Sequence, residues 1–237
     1  MTTTAATSSF SGSTLLVQPL FNVLLLLYIY LPGHDLGVGV IVFTILIRLL
    51  LWPLFSKSIR SQLMMSKIQP EIEAVQKKYQ SDKQTQVAEL MKLYQQHNFN
   101  PFSGIIFLFL QLPILLAVYH VFQLLNQPFS HLVYSGIPLP LVMDYTFLGW
   151  FDLSQPFLLA TAFASLIQFV QVWESMRKLP QAKVQTASAK ASRLTTYLSP
   201  VLTFVIFRSF PSVLSLYWSV SSLVSLFQQW LIQRKMK

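Results

Sequence analysis

The sequence predicts an all-α membrane protein: a polytopic helix bundle of five transmembrane helices, with an interfacial amphipathic helix outside and a helical hairpin in the cytoplasm. Three observations predict it. The chain of 237 residues is 53% apolar and only 11% charged, with a mean hydropathy of +0.52, which is greasier than an ordinary soluble domain. Its apolar residues gather in runs suited to crossing roughly 30 Å of hydrocarbon. Its net charge of +9 sits in three blocks, Lys57 to Lys92, Arg177 to Arg193 and Arg234 to Lys237, with Arg48 and Arg208 outside them. Residues 1–36 and 126–156 hold no Lys or Arg. By the positive-inside rule the blocks are cytoplasmic and the two bare segments are outside.

Residues 1–36 begin as a Thr/Ser/Ala tail without the basic start of a signal peptide. Leu15 to Leu31 is apolar but marginal in length, with Gln18 and Asn22 on one helical face. It reads either as an interfacial helix or as a span that places the N-terminus inside. The lack of positive charge ahead of it favours the interfacial helix. Residues 37–55 form the first span, and Arg48 lies deep within it with no acidic neighbour in the run. A charge held there costs about 2.5–3.5 kcal/mol on insertion scales, so Arg48 either reaches back to the inner surface or faces a polar cavity.

Residues 56–99 are polar, basic and rich in glutamine. Ile68, Ile72 and Val75, then Val87, Leu90, Met91 and Tyr94, recur at helical intervals on either side of Gln80, Ser81 and Asp82. That pattern predicts an antiparallel hairpin, serving either as a solvated linker or as a basic face for membrane or partner docking. Residues 100–125 and 155–176 are the second and third spans, joined by an outer loop at 126–154. A cytoplasmic loop at 177–196 follows. The long apolar run after it breaks at Phe210, Pro211 and Ser212, giving spans at 197–210 and 213–233 with a cytoplasmic tail at 234–237. Trp52, Trp150, Trp173 and Trp230 fall near span ends, as interfacial aromatics do.

Catalysis has no visible machinery. The chain contains no cysteine, its four histidines are scattered, and HExxH, GxSxG and phosphate-loop motifs are absent. No cofactor or metal is expected. The basic blocks flank spans, so topology accounts for them without direct nucleic-acid recognition. Gln111, Gln168, Gln171, Ser219, Ser221, Ser222, Ser225, Gln228 and Gln229 lie within spans and need polar partners there. The serines read mainly as interhelical glue. Gln111 and Gln171 are bulkier and either do the same or line a wet hollow with Arg48.

Several words of the chain, in order, resemble the YidC/Oxa/Alb family of membrane protein insertases. They are TILIRLLLWPL around Arg48, IQPEIEAVQKKY in the hairpin, HNFNPFSG followed by LQLPILLAVYH, DLSQP, FVQVWESM, and FPSVLSLYWSVSSLVSLFQQWLIQRK. The resemblance covers nearly the whole chain and implies a hydrophilic groove, open to the cytoplasm and lipid and closed outside. By position it implies Arg48 as the groove arginine, Gln171 as the groove-lining glutamine of the third span, and Trp218 as the aromatic of the Tyr-Trp pair in the fifth. The large outer domain of Gram-negative members has no counterpart here, so the resemblance is to the short five-span type. Where the family often has Asn in the fifth span, Ser222 stands.

The function this implies is insertion and folding of integral membrane proteins without nucleotide hydrolysis, not enzymatic catalysis. Arg48, Gln111, Gln171 and Trp218 would form the substrate groove of a protein in the bacterial inner membrane. Its expected partners are newly made membrane proteins, membrane lipids, and a Sec-type translocon and the ribosome. The alternative is an anion-selective channel or small-solute transporter, although no internal repeat supports it.

Overall fold

The computed structural model describes residues 12–100, 103–125, 130–140, 143–177 and 187–235. The N-terminal tail through Ser11, Lys178 and Lys183 of the second basic block, and Lys237 lie outside the described residues. What is described is largely helical: α1 (Gly12–Tyr30), α2 (Leu36–Leu50), α3 (Trp52–Lys78), α4 (Lys83–Gln96), α5 (Ser103–Leu125), α6 (Leu158–Arg177), α7 (Ala187–Phe207) and α8 (Ser212–Lys235). The all-α class therefore holds.

Helix α1 buries Phe21, Leu24, Leu25 and Tyr28, a three-and-four spacing that makes one apolar stripe, against α5 and α2. Its polar pair is spent on a loop: Gln18 Nε2 and Asn22 Nδ2 both donate to the carbonyl of Leu132, at 3.2 and 2.9 Å, and Asn22 Oδ1 accepts from the amide of Tyr134. After Pro32, which lacks an amide to continue the helix, the chain reverses through Gly33 at φ 85, a backbone setting that glycine adopts without strain.

Asp35 starts α2 by accepting the amide of Val38 at 2.9 Å, one of the helix-start donors that need a side-chain partner. Its other oxygen accepts the amide of Leu148 at 2.6 Å, in the turn between β1 (Thr146–Phe147) and β2 (Phe151–Asp152). These two short strands pair antiparallel, Thr146 opposite Asp152 and Phe147 opposite Phe151. A Cβ on Gly37 would meet Phe147 Cδ2 at 2.1 Å, so the ring packs directly on the helix backbone.

The apolar run 37–55, expected as one helix, is divided. α2 ends at Leu50, Leu51 takes φ −91 and ψ 10, and α3 leaves at 72°. Pro53 in the first turn of α3 offers no amide to the turn before it. Beyond the bend, α3 and α4 pack together through Ile68, Ile72 and Leu93, with the turn at the residues the polar break marks. Asp82 caps α4, accepting from the amides of Gln84 and Thr85. The break before α8 also falls at Phe210, Pro211 and Ser212, while α7 begins earlier than 197, at Ala187.

The main core gathers at the end of the bundle that holds Asp35 and Ser212. There Phe21 and Leu25 of α1, Val40 and Phe43 of α2, Phe122 of α5 and Val213 of α8 are at most 1% exposed. Outward, the bundle shows Phe163, Leu166, Phe169 and Val170 of α6, Val201, Leu202, Val205 and Ile206 of α7, and Leu223 and Phe227 of α8. So continuous an apolar exterior suits hydrocarbon rather than water. By length and apolarity alone, among the described residues, Leu158–Met176 qualifies as a span and the bent pair Leu36–Leu50 with Trp52–Met65 as a second. Val17–Tyr30, Gln111–Leu125 and Leu194–Phe207 are shorter apolar helices. Helix α8 carries its serines and glutamines inward, which lowers its hydropathy without exposing them.

Candidate functional site

Six helices converge on a cavity of about 200 Å³. α2 contributes Arg48, α3 Gln62, α5 Gln111, α6 Gln168, Gln171, Val172 and Ser175, α7 Thr196, and α8 Trp218, Ser221, Ser222 and Ser225. All four residues singled out in the sequence, Arg48, Gln111, Gln171 and Trp218, thus line one space. The contribution of α8 follows from helical period: residues 218, 221, 222 and 225 are three and four apart and share a face.

Arg48 is 4% exposed and is turned into the cavity rather than along the bundle surface. Its Nε donates to Ser221 Oγ at 2.9 Å, its Nη2 donates to the same hydroxyl and to Gln111 Oε1 at 3.5 Å, and its Nη1 has no partner among the described residues. Among the described residues, no carboxylate lines the cavity. Among the described residues the ion pairs are Lys92–Glu89 and His97–Glu71, both in the α3–α4 unit. The cation is therefore solvated by hydroxyl and amide dipoles and not neutralised.

Two amide relays brace the walls. Gln111 Nε2 donates to the Tyr217 hydroxyl at 3.0 Å while its oxygen faces Arg48. Trp218 Nε1 donates to Gln168 Oε1 at 2.9 Å, and its ring meets Phe207 edge-on at 5.4 Å. Between α6 and α8 a polar contact recurs every seven residues of α6: Thr161 with Ser215 at 3.1 Å, Gln168 with Trp218, and Ser175 with Gln229 at 3.0 Å. Sequence reasoning left Ser221 and Tyr217 out of the site. Ser219 and Ser225 do bond back to carbonyls one turn earlier, the ordinary behaviour of helical serines. Ser221 differs only because Arg48 lies opposite, which its own helix cannot reveal. Its place three residues after Trp218 and four before Ser225 was the available signal.

The arrangement offers a buried positive charge with spare donors, several adaptable amides and hydroxyls, and no pairing of nucleophile with base. It can solvate a polar or anionic group.

Comparison with known proteins matches residues 28–237 to the family described as 60Kd inner membrane protein. The membrane protein insertase YidC of Fusobacterium nucleatum is 33% identical over 203 residues, which cover 85% of this chain and 87% of that protein. The membrane protein insertase MisCA of Bacillus subtilis is 33% identical over 209 residues, 86% of this chain and 72% of that one. YidC of Oleidesulfovibrio alaskensis is 31% identical over 227 residues, 94% of this chain. The chain spans only about two fifths of that relative and of YidC from Syntrophobacter fumaroxidans, 39% and 40% of their lengths. With most of its length matched and its helices arranged around one cationic cavity, the chain belongs to the 60Kd inner membrane protein family, that of the YidC/Oxa/Alb insertases.

Proposed function

We propose that this protein inserts and helps fold other integral membrane proteins, using solvation and electrostatics without nucleotide hydrolysis. The observation that carries the reading is Arg48: a buried guanidinium that has, among the described residues, no acidic partner and no partner for Nη1, facing a cavity among helices whose outer surfaces are apolar. An incoming segment with a short acidic or polar tail faces roughly 30 Å of hydrocarbon. A wet cationic hollow partway across shortens that path, and Arg48 attracts the tail's carboxylates as they enter. The segment's apolar part then leaves along α6 and α8 into lipid, driven by burial worth about 25 cal/mol per Å². The amides of Gln111, Gln168 and Gln171 serve as neutral stand-ins for water.

In this reading the bundle crosses the bacterial inner membrane five times, by α2, α5, α6, α7 and α8. The Asp35 and Ser212 end is outside, and the α3–α4 unit is a basic hairpin in the cytoplasm. The charge pattern supports that orientation. The packed core at the outside end supports a one-sided groove over a conducting channel, since ions would meet buried phenylalanines there. Clients are newly made membrane proteins, and a Sec-type translocon, the ribosome and lipids are the proposed partners. The test uses liposomes containing this protein alone and two single-span clients that differ only in an acidic or a neutral tail. Arg48→Glu is expected to lower insertion of the acidic client about tenfold, which needs only ~1.4 kcal/mol of lost attraction, and to spare the neutral one. Equal insertion of both by the variant would overturn the role of Arg48.

A further inference from the structure

In a straight helix, residues seven apart share a face but stand about 10.5 Å apart along the axis, and their side chains lean toward the N-terminus. Arg48 would then lean away from Phe55. Instead the guanidinium carbon lies 4.0 Å from the centre of the Phe55 ring, and Phe55 is 1% exposed. The 72° bend between α2 and α3 closes that gap. Pro53 removes one backbone bond across the bend, the amides of Leu54 and Phe55 both donate to the Leu51 carbonyl at 3.0 Å, and a further contact on the start of α3 comes from α8. Gln228, itself fully buried, donates through Nε2 to the Trp52 carbonyl at 3.0 Å and to Ser56 Oγ at 2.8 Å, while its Oε1 has no partner among the described residues.

We propose that Phe55 and Gln228 are positioning residues for Arg48, with Gln228 latching the bend and Phe55 forming the floor on which the guanidinium lies. The chemistry divides the guanidinium between face and edge. Its N–H groups lie in the plane and its flat face stacks on a ring. A carboxylate in place of Phe55 would also hold the cation, but it would consume donors and cancel the charge. The ring steadies the cation and leaves both charge and edge for an anionic tail. This rests on the role given to Arg48 above.

The test measures peptide-resolved modification of Arg48 by phenylglyoxal in the full chain in liposomes, alongside insertion of the acidic and neutral clients. Phe55→Leu keeps apolar bulk without a ring, Gln228→Met keeps length without a donor, and Phe55→Tyr keeps the ring. Loss of the floor is expected to raise Arg48 modification about three- to fivefold in Phe55→Leu, the scale of an ordinary cation–ring contact, and in the same direction in Gln228→Met. Both variants lower the acidic-to-neutral insertion ratio, and Phe55→Tyr matches the native protein on both counts. An unchanged rate in Phe55→Leu overturns the floor, and one in Gln228→Met overturns the latch. Faster modification with an unchanged insertion ratio supports the positioning and instead overturns Arg48 as the client-attracting group. Comparing Phe55→Leu with Phe55→Tyr at matched thermal stability separates positioning from folding.

Discussion

At its Ser212 end, α8 buries Val213, Leu214 and the ring of Tyr217 in the apolar core shared with α1, α2, α5 and α7. Barely a turn later the same helix turns Trp218, Ser221, Ser222 and Ser225 toward the Arg48 cavity. Tyr217 stands at the boundary, its ring in the core and its hydroxyl bonded to Gln111. Both stretches are screened from the exterior, so burial alone does not separate them. What separates them is the chemistry of the facing helices: Phe43 and Phe122 at one level, Arg48 and Gln111 at the other. The dry level needs shape complementarity, because a void there loses contacts outright. The polar level needs partners for dipoles and tolerates space. Apolar packing and polar contacts are thus assigned to successive levels of one bundle.

The contrast is tested first at the dry level, where the expected effect is largest. Phe122→Ala should cost ~3–5 kcal/mol, as for other large-to-small core changes, read as thermal unfolding in detergent, while the surviving folded protein keeps its native acidic-to-neutral client ratio. A change in that ratio would mean that the two levels are not separable. Ser221→Ala comes next. It removes the acceptor of Nε and one of the two acceptors of Nη2, and hydrogen bonds to charged groups contribute about 1.5–3 kcal/mol, with cavity water reducing the loss. Its signature is a fall in the client ratio that exceeds its effect on unfolding.

The smallest effect lies outside both levels. The Asp82 carboxyl is held below its ordinary value of 3.8, chiefly by the Thr85 hydroxyl and also by the Thr85 and Gln84 amides. A lowered carboxyl stabilises the cap above pH 3.8 and loses that contribution as pH falls through its folded value. Asp82→Ala should speed amide exchange at Gln84 and Thr85 at neutral pH without altering insertion. If it slows insertion as strongly as Ser221→Ala, the α3–α4 unit is not independent of the groove.

Charge in an apolar run is the most legible signal in the chain, and Arg48 is found by it alone. The turn at Gln80 to Asp82 and the break at Pro211 are equally plain, since polar residues interrupt the helical period there. The bend at Leu51 is not: residues 37–55 are apolar on both sides of Pro53, and a proline in a first turn reads the same whether the helix starts anew or continues. Nor is Ser221, whose role depends on a side chain 173 positions away. Sequence period assigns faces within one helix, whereas site membership depends on which faces meet.

The carboxylate of Asp35 holds Val38 with one oxygen and Leu148 with the other. Cap and turn are therefore joined through one side chain to the helix that carries Arg48. A load on the strand pair would reach the start of α2 through that carboxylate, about three turns before Arg48.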